Sequence, residues 1–316
     1  SITRDKDTLL DLLSFSLILI YVFIFFLLNK IYNSEKQNYL SVVLIFSPAA
    51  FLFPIYDSQG SFRKEILGFL AVLLLASSIK SSKRYKYVSM SLFIYSIAVF
   101  SHSVNVFFIT TIFVLIYIFF DNKLLLLTLF SIPVVLYLLL YYLFSSSEQE
   151  LYIIRDNICN DLVSIGLSNL CGYGTFDFLV WDVNANYLLV QNYIINENRN
   201  EYYFYFLLFI LSIVPYFFDS KSIELMKYYL FVSISFIPLF LYAYDWGRWI
   251  YIMSTCFLIL YLLSEKSSKN NLTLTLLFTY PFLYRMEHCC KPMIHFKENF
   301  IFENVFYLLE VLRNII

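Results

Sequence analysis

The sequence predicts an all-α polytopic integral membrane protein, and three observations carry the prediction. Of the 316 residues, 60% are apolar and the mean hydropathy is +0.71, beyond what a water-soluble domain sustains. Only 14% are charged, and those charges gather in short breaks between apolar runs. The runs themselves have lengths suited to a hydrocarbon core about 30 Å thick, which takes ~20 residues of helix to cross. A net charge of −1 gives no basic field for nucleic acid, so partners are expected in the membrane and not among nucleic acids.

In chain order, about ten spans follow from run length within a single membrane domain. The first, 9–28, closes at the polar break 29–38, and the second, 39–56, closes at Asp57. The third, 66–79, opens behind Arg63, Lys64 and Glu65; the fourth, 87–100, follows the basic break "KSSKRYK". Only "SHS" separates it from 104–120, and Asp121 to Lys123 separate that run from 124–144. The stretch 145–201 is too long and too polar for a span and is expected to form amphipathic helices that roof a cavity. Spans at 202–218, 228–244, 249–263 and 272–284 complete the set, and 285–316 is expected to be an amphipathic or interfacial C-terminal segment. The shorter runs must borrow flanking residues or re-enter. The chain opens on Ser1 without a signal-peptide pattern, so an upstream segment is expected.

The most basic short break, 80–86, belongs in the cytoplasm by the positive-inside rule. Every other break then follows: the inside breaks carry ten lysines and one arginine, Arg84, whereas the outside ones carry Arg63, Lys64, Arg155, Arg199 and Arg248. Lysine on the inside is ordinary topology signalling. Arginine's rigid fork matches phosphate and carboxylate bidentately, so its concentration outside points to an external anion.

The same topology places the polar oddities on that outer side. In "YAYDWGRWIY", residues 242–251, Arg248 stands at a membrane boundary with Asp245 three residues before it. It is either an interfacial anchor between Trp246 and Trp249 as an aromatic belt, or the holder of an anionic headgroup approached across Gly247. Arg63 and Lys64 open a helix, where cations oppose the dipole and an anionic ligand would account for them, while Glu65 suits the dipole as a flank charge. His102, in "VFSHSVNVF", is either a hydrogen-bonded structural residue or a general base or sugar contact. In the long outer stretch, "CGYGTFDFLVWDVN" offers Asp177, Trp181, Asp182 and Asn184, a mixture suited to carbohydrate. Cys159 and Cys171 both fall there and can pair in an oxidising compartment; no cysteine has metal-ligand spacing. The "DKD" at Asp5 to Asp7 matches the acid pair of nucleotide-sugar transferases, but no soluble domain large enough to hold such a donor accompanies it. Walker A, HExxH, GxSxG and CxxC patterns are absent from the sequence, which argues against an ATP-driven pump and the commoner membrane proteases.

"FRKEILGFLAVLLLA", a span ending in "AVFSHS", a large external loop and "DWGRW" late in the chain together resemble the Wzy-type polymerases of O-antigen and exopolysaccharide clusters, including the EpsG-like branch. The resemblance covers about residues 41–263. It implies a multi-pass protein of the bacterial inner (plasma) membrane that transfers a growing glycan from undecaprenyl diphosphate to the non-reducing end of a lipid-linked repeat unit, on the periplasmic or outer side. It further implies no metal and no cofactor, with Arg248 and Arg63 as diphosphate contacts, Lys64 assisting, and His102 or Asp245 orienting or deprotonating the acceptor hydroxyl. Asp177, Trp181 and Asp182 would contact sugar. A chain-length regulator protein is the partner such polymerases usually have. Two other readings stay open: a glycosyltransferase of GT-C type using a polyprenyl-phosphate sugar, with Asp57 as base, and a non-enzymatic transporter of lipid-linked glycan. A transporter would want charges midway along spans and internal repeats, and the charges here cluster at one face.

Overall fold

The computed structural model describes residues 6–34, 64–79, 81–143, 148–164, 183–197, 199–217, 220–243 and 245–263. The spans expected at 39–56 and 272–284, the segment 285–316, and Asp57, Arg63, Cys171, Asp177, Trp181 and Asp182 lie outside the described residues. The described residues contain helices and connections with no strand. In order these are α1 (Lys6–Ser34), α2 (Glu65–Ser78), α3 (Arg84–Ser101), α4 (Phe108–Phe119), α5 (Lys123–Leu143), α6 (Glu148–Ser164), α7 (Val183–Asn192), α8 (Arg199–Phe217), α9 (Ser220–Tyr242) and α10 (Trp246–Leu263). A tight 3₁₀ turn, Ser103–Phe107, leads into α4, and a wide π turn, Tyr193–Glu197, follows α7.

Each expected span inside the described residues is helical, but several boundaries move; α1 runs from Lys6 to Ser34 against the expected 9–28, and α10 starts at Trp246 against the expected 249. The fourth helix does not begin at residue 104, because Ser103–Phe107 winds as a tighter turn before α4 starts at Phe108. The run expected from 228 begins at Ser220, so most of the break containing Lys221 and Lys227 is helix. Arg199 is the first residue of α8 and not part of a loop; its Nε donates to the Tyr203 hydroxyl at 3.0 Å, one turn along the same helix. Long side chains at the ends of apolar helices extend helical pairing beyond the apolar run itself, which run length cannot reveal.

Three helical stretches among the described residues are long and apolar enough to cross a membrane: Lys123–Leu143, Leu225–Tyr242 and Trp246–Leu263. The apolar stretches Ile18–Ile31, Glu65–Ser78 and Ser103–Phe119 are shorter. The packing divides these helices into an inner pair and an outer ring. Helices α2 and α10 are buried over nearly their whole surface, and a helix apolar all round belongs inside a bundle. Helix α2 packs on α1, α3, α4 and α10, and α10 packs on α1, α2, α8 and α9. The surrounding helices turn apolar side chains outward, including Phe15 and Val22 of α1, Leu139 and Leu140 of α5, Phe206 of α8 and Ile234 of α9. Such a rim is costly in water and natural in lipid.

Polar contacts tie the inner helices to the ring. The Ser91 hydroxyl donates to the Ala71 carbonyl at 2.7 Å, joining α3 to α2, and the Thr110 and Ser235 hydroxyls lie 2.9 Å apart between α4 and α9. Interhelical bonds of this kind contribute about 0.6 kcal/mol each in membrane bundles, so they fix register more than they supply stability. Gly68 has a sharper role. A Cβ there would lie 2.5 Å from Phe108 Cδ2 and 2.7 Å from Asn105 Oδ1, closer than carbon and oxygen tolerate. The α3–α4 corner therefore docks on α2 only because residue 68 has no side chain. Gly68→Ala is expected to destabilise the fold by about 1–3 kcal/mol through overpacking, seen as a lower unfolding midpoint in detergent; an unchanged midpoint would contradict the packing described.

The two ends of the bundle differ in charge. At one, Lys30 Nζ donates to the Tyr87 hydroxyl at 2.9 Å, Arg84 Nη2 donates to the Phe119 carbonyl at 2.7 Å, and Lys123 lies over the Tyr117 ring. Arg84 thereby satisfies a carbonyl at the C-terminal end of α4, the favourable end for a cation. At the other end lie Lys64, Glu65, the α3–α4 corner and Asp245 to Arg248. A reporter fused after Tyr85 is expected to read as cytoplasmic; an external signal would overturn the sidedness.

Candidate functional site

At that second end the α2 N-terminus meets both the α3–α4 corner and the α10 N-terminus. Asp245 stands just before α10, where its carbonyl accepts the Trp249 N–H at 3.0 Å, the first bond of the helix. This makes it the N-cap residue by position. Arg248 follows three residues later, in reach of its side chain: Nη1 donates to Asp245 Oδ2 at 2.9 Å. The other arm of the guanidinium, Nη2, forms an ion pair with Glu65 Oε1 in the first turn of α2. Glu65 is 2% exposed and Arg248 7%, so the pair is shielded from water by the bundle.

The three charges form one unit. A buried carboxylate or guanidinium alone is strongly disfavoured, and each is retained here because the other compensates it. Both carboxylates lie at helix N-termini, where unpaired amides and the dipole favour negative charge. Each carboxylate thus stands at a positive helix end and on its own arm of the one guanidinium. The Arg248 guanidinium also lies 5.0 Å from the centre of the Trp249 ring, within cation–π range.

This geometry corrects two expectations. Trp249 is not part of an interfacial belt: it is 2% exposed and packed inside, since α10 is enclosed over nearly its whole surface. Trp246 is half-buried, donates from Nε1 to the Phe240 carbonyl at 2.9 Å, and meets Tyr202 edge-on, so it closes the α9–α10 connection. Glu65 is not a flank charge. It is the buried counter-ion of Arg248, and the sequence held the signal: an acid heading a helix otherwise free of charge needs a cation, and Arg248 bounds another span.

Asn105, wholly buried, links the corner to this site. Its Nδ2 donates to the Ala98 carbonyl at 2.9 Å and reaches the Lys64 carbonyl at 3.4 Å. Lys64 itself is exposed at the start of α2. His102 ends α3 in an extended conformation, and its Nδ1 accepts the Val104 N–H at 3.1 Å. In the neutral ring this acceptor role places the proton on Nε2. The structure therefore brings Lys64, His102, Asp245 and Arg248 to one end of the bundle, joined by Glu65 and Asn105, which sequence reasoning did not assign.

Other features stand apart. An apolar pocket of about 310 Å³, lined by Tyr205, Phe209, Ile237, Phe240, Trp246 and Met253, lies between α8, α9 and α10. It occupies a different face of α10 from Arg248, because residues two apart on a helix do not face the same way. Helix α6 carries Arg155 paired with its neighbour Asp156 at 2.8 Å, an exposed contact of the kind that contributes little. Among the described residues no three His, Cys, Asp or Glu side chains form a metal-binding group. No family model, curated protein or solved structure matches the chain.

Proposed function

We propose that the chain is a membrane glycosyltransferase of the polysaccharide-polymerase type, which moves a growing glycan from undecaprenyl diphosphate to a lipid-linked repeat unit at the outer face of a bacterial inner membrane. The observation that carries the reading is Arg248: a shielded arginine at the meeting of two helix N-termini, at the bundle end remote from Lys30, Arg84 and Lys123. A departing lipid diphosphate develops negative charge on its bridging oxygen, and preorganised cations and amides aimed at that charge lower the barrier.

In this reading Arg248 grips the diphosphate, with Lys64 and Arg63 supplying further positive charge. His102 donates a hydrogen bond from Nε2 to the sugar or the leaving oxygen, and Asp245 orients the acceptor hydroxyl. Asp177, Trp181 and Asp182 are the proposed sugar contacts of the outer segment, and a chain-length regulator is the proposed protein partner. The deciding experiment is Arg248→Ala in the source bacterium, with surface polysaccharide resolved by length. A polymerase loses the ladder of long chains and keeps single-repeat material. Loss of both would indicate a transporter, and an unchanged ladder would refute the proposal.

A further inference from the structure

We infer that the two carboxylates on Arg248 have different tasks: Glu65 is a positioning residue that holds the guanidinium, and Asp245 occupies the place that one phosphate group of an incoming diphosphate takes. This rests on the polymerase reading and adds the step by which the site opens.

The two carboxylates engage different arms of the fork, Glu65 at Nη2 and Asp245 at Nη1. They differ in access. The Glu65 side chain is 3% exposed, on a helix enclosed by its neighbours, whereas that of Asp245 is 21% exposed and stands ahead of α10 in the connection from α9. An anion arriving from outside meets Asp245 before Glu65.

Exchange also solves an electrostatic problem. Stripping Arg248 of its partners would strand a charge in a shielded site. Replacing one anion by another keeps the guanidinium compensated throughout, and Glu65 keeps its fork aimed during the exchange. A diphosphate brings more charge than a carboxylate and accepts a stronger charge-assisted bond from the Nη1 arm, so it outcompetes Asp245 where a neutral sugar or a mono-anion does not. The α10 N-terminus, beside the vacated place, adds its dipole. Asp245 thus acts as a selectivity filter for strongly anionic head groups.

The test uses the full chain in nanodiscs of zwitterionic lipid, with inorganic pyrophosphate as the probe in calorimetry. Asp245→Asn is expected to bind pyrophosphate about tenfold tighter than wild type, because the internal competitor is gone, and Glu65→Gln about tenfold weaker, because the fork loses its anchor. Asp245→Ser, which keeps a residue favoured at a helix start, repeats the first measurement should the asparagine variant fold poorly; unfolding midpoints are recorded for each. The inference is overturned if neither Asp245 variant binds more tightly, if Glu65→Gln binds as tightly as they do, or if no protein binds saturably. Failure here with the polysaccharide ladder still lost in Arg248→Ala would spare the polymerase reading. The expected binding order with an intact ladder would sink that reading and leave an anion site of another purpose.

Discussion

Arg248→Ala is expected to slow chain extension by about 10²- to 10³-fold, the loss typical when one preorganised group facing a developing oxyanion is removed. Arg248→Lys should recover little. Lysine keeps the charge, but an ammonium is a point donor on a flexible stem and cannot hold Glu65 with one arm while offering another to phosphate. The measurement is the rate of repeat-unit addition by purified protein supplied with lipid-diphosphate oligosaccharide. Lysine activity near wild type would mean that charge alone suffices and that the two-armed geometry at Nη1 and Nη2 has no catalytic weight.

Glu65→Ala is expected to be the most damaging single change to stability, at about 3–5 kcal/mol, because it leaves a buried guanidinium short of its shielded counter-ion. Asp245 remains, so the lower end of that range is the expectation. The partner variant decides the cause. Glu65→Leu combined with Arg248→Met removes both charges and fills similar volume, and should recover most of the lost stability while remaining inactive. Thermal unfolding in detergent distinguishes the cases. If the double variant is as unstable as the sum of its single changes, packing around α2 and not charge compensation is responsible.

The helices were legible where the chain is monotonous. Lys123–Leu143 is a long apolar run between polar breaks, and hydropathy alone locates it because it is apolar along its whole length and turns most of its side chains outward. Helix α10 is less apolar, and it starts at Trp246, three residues before the expected 249, because the apolar run begins only after Arg248. What hydropathy does not report is which apolar helix is central. Helices α2 and α5 are both greasy, yet α2 is enclosed and α5 is largely exposed, a difference made by neighbours distant in sequence. The site divides the same way. Arg248 with Asp245 is a local i, i+3 relation that the sequence displays, whereas Glu65 lies far back in the chain and meets Arg248 only through helix packing. Trp249 stays open in the sequence for a related reason: tryptophan suits both an interface and a core, and the enclosure of α10 by its neighbours decides.

The brevity of α2 fixes a depth. Fourteen helical residues rise about 21 Å, roughly 9 Å less than a hydrocarbon core of ~30 Å. If the lysine-rich end is level with one headgroup layer, the Glu65–Arg248 pair lies beneath the opposite layer, and on the proposed function the phosphates come down to it. Bilayer thickness then becomes a variable of the chemistry. Reconstituted in shorter-chain lipids, the protein should hold its arginine closer to the headgroup plane and work faster; in thicker membranes the diphosphate has further to sink and turnover should fall.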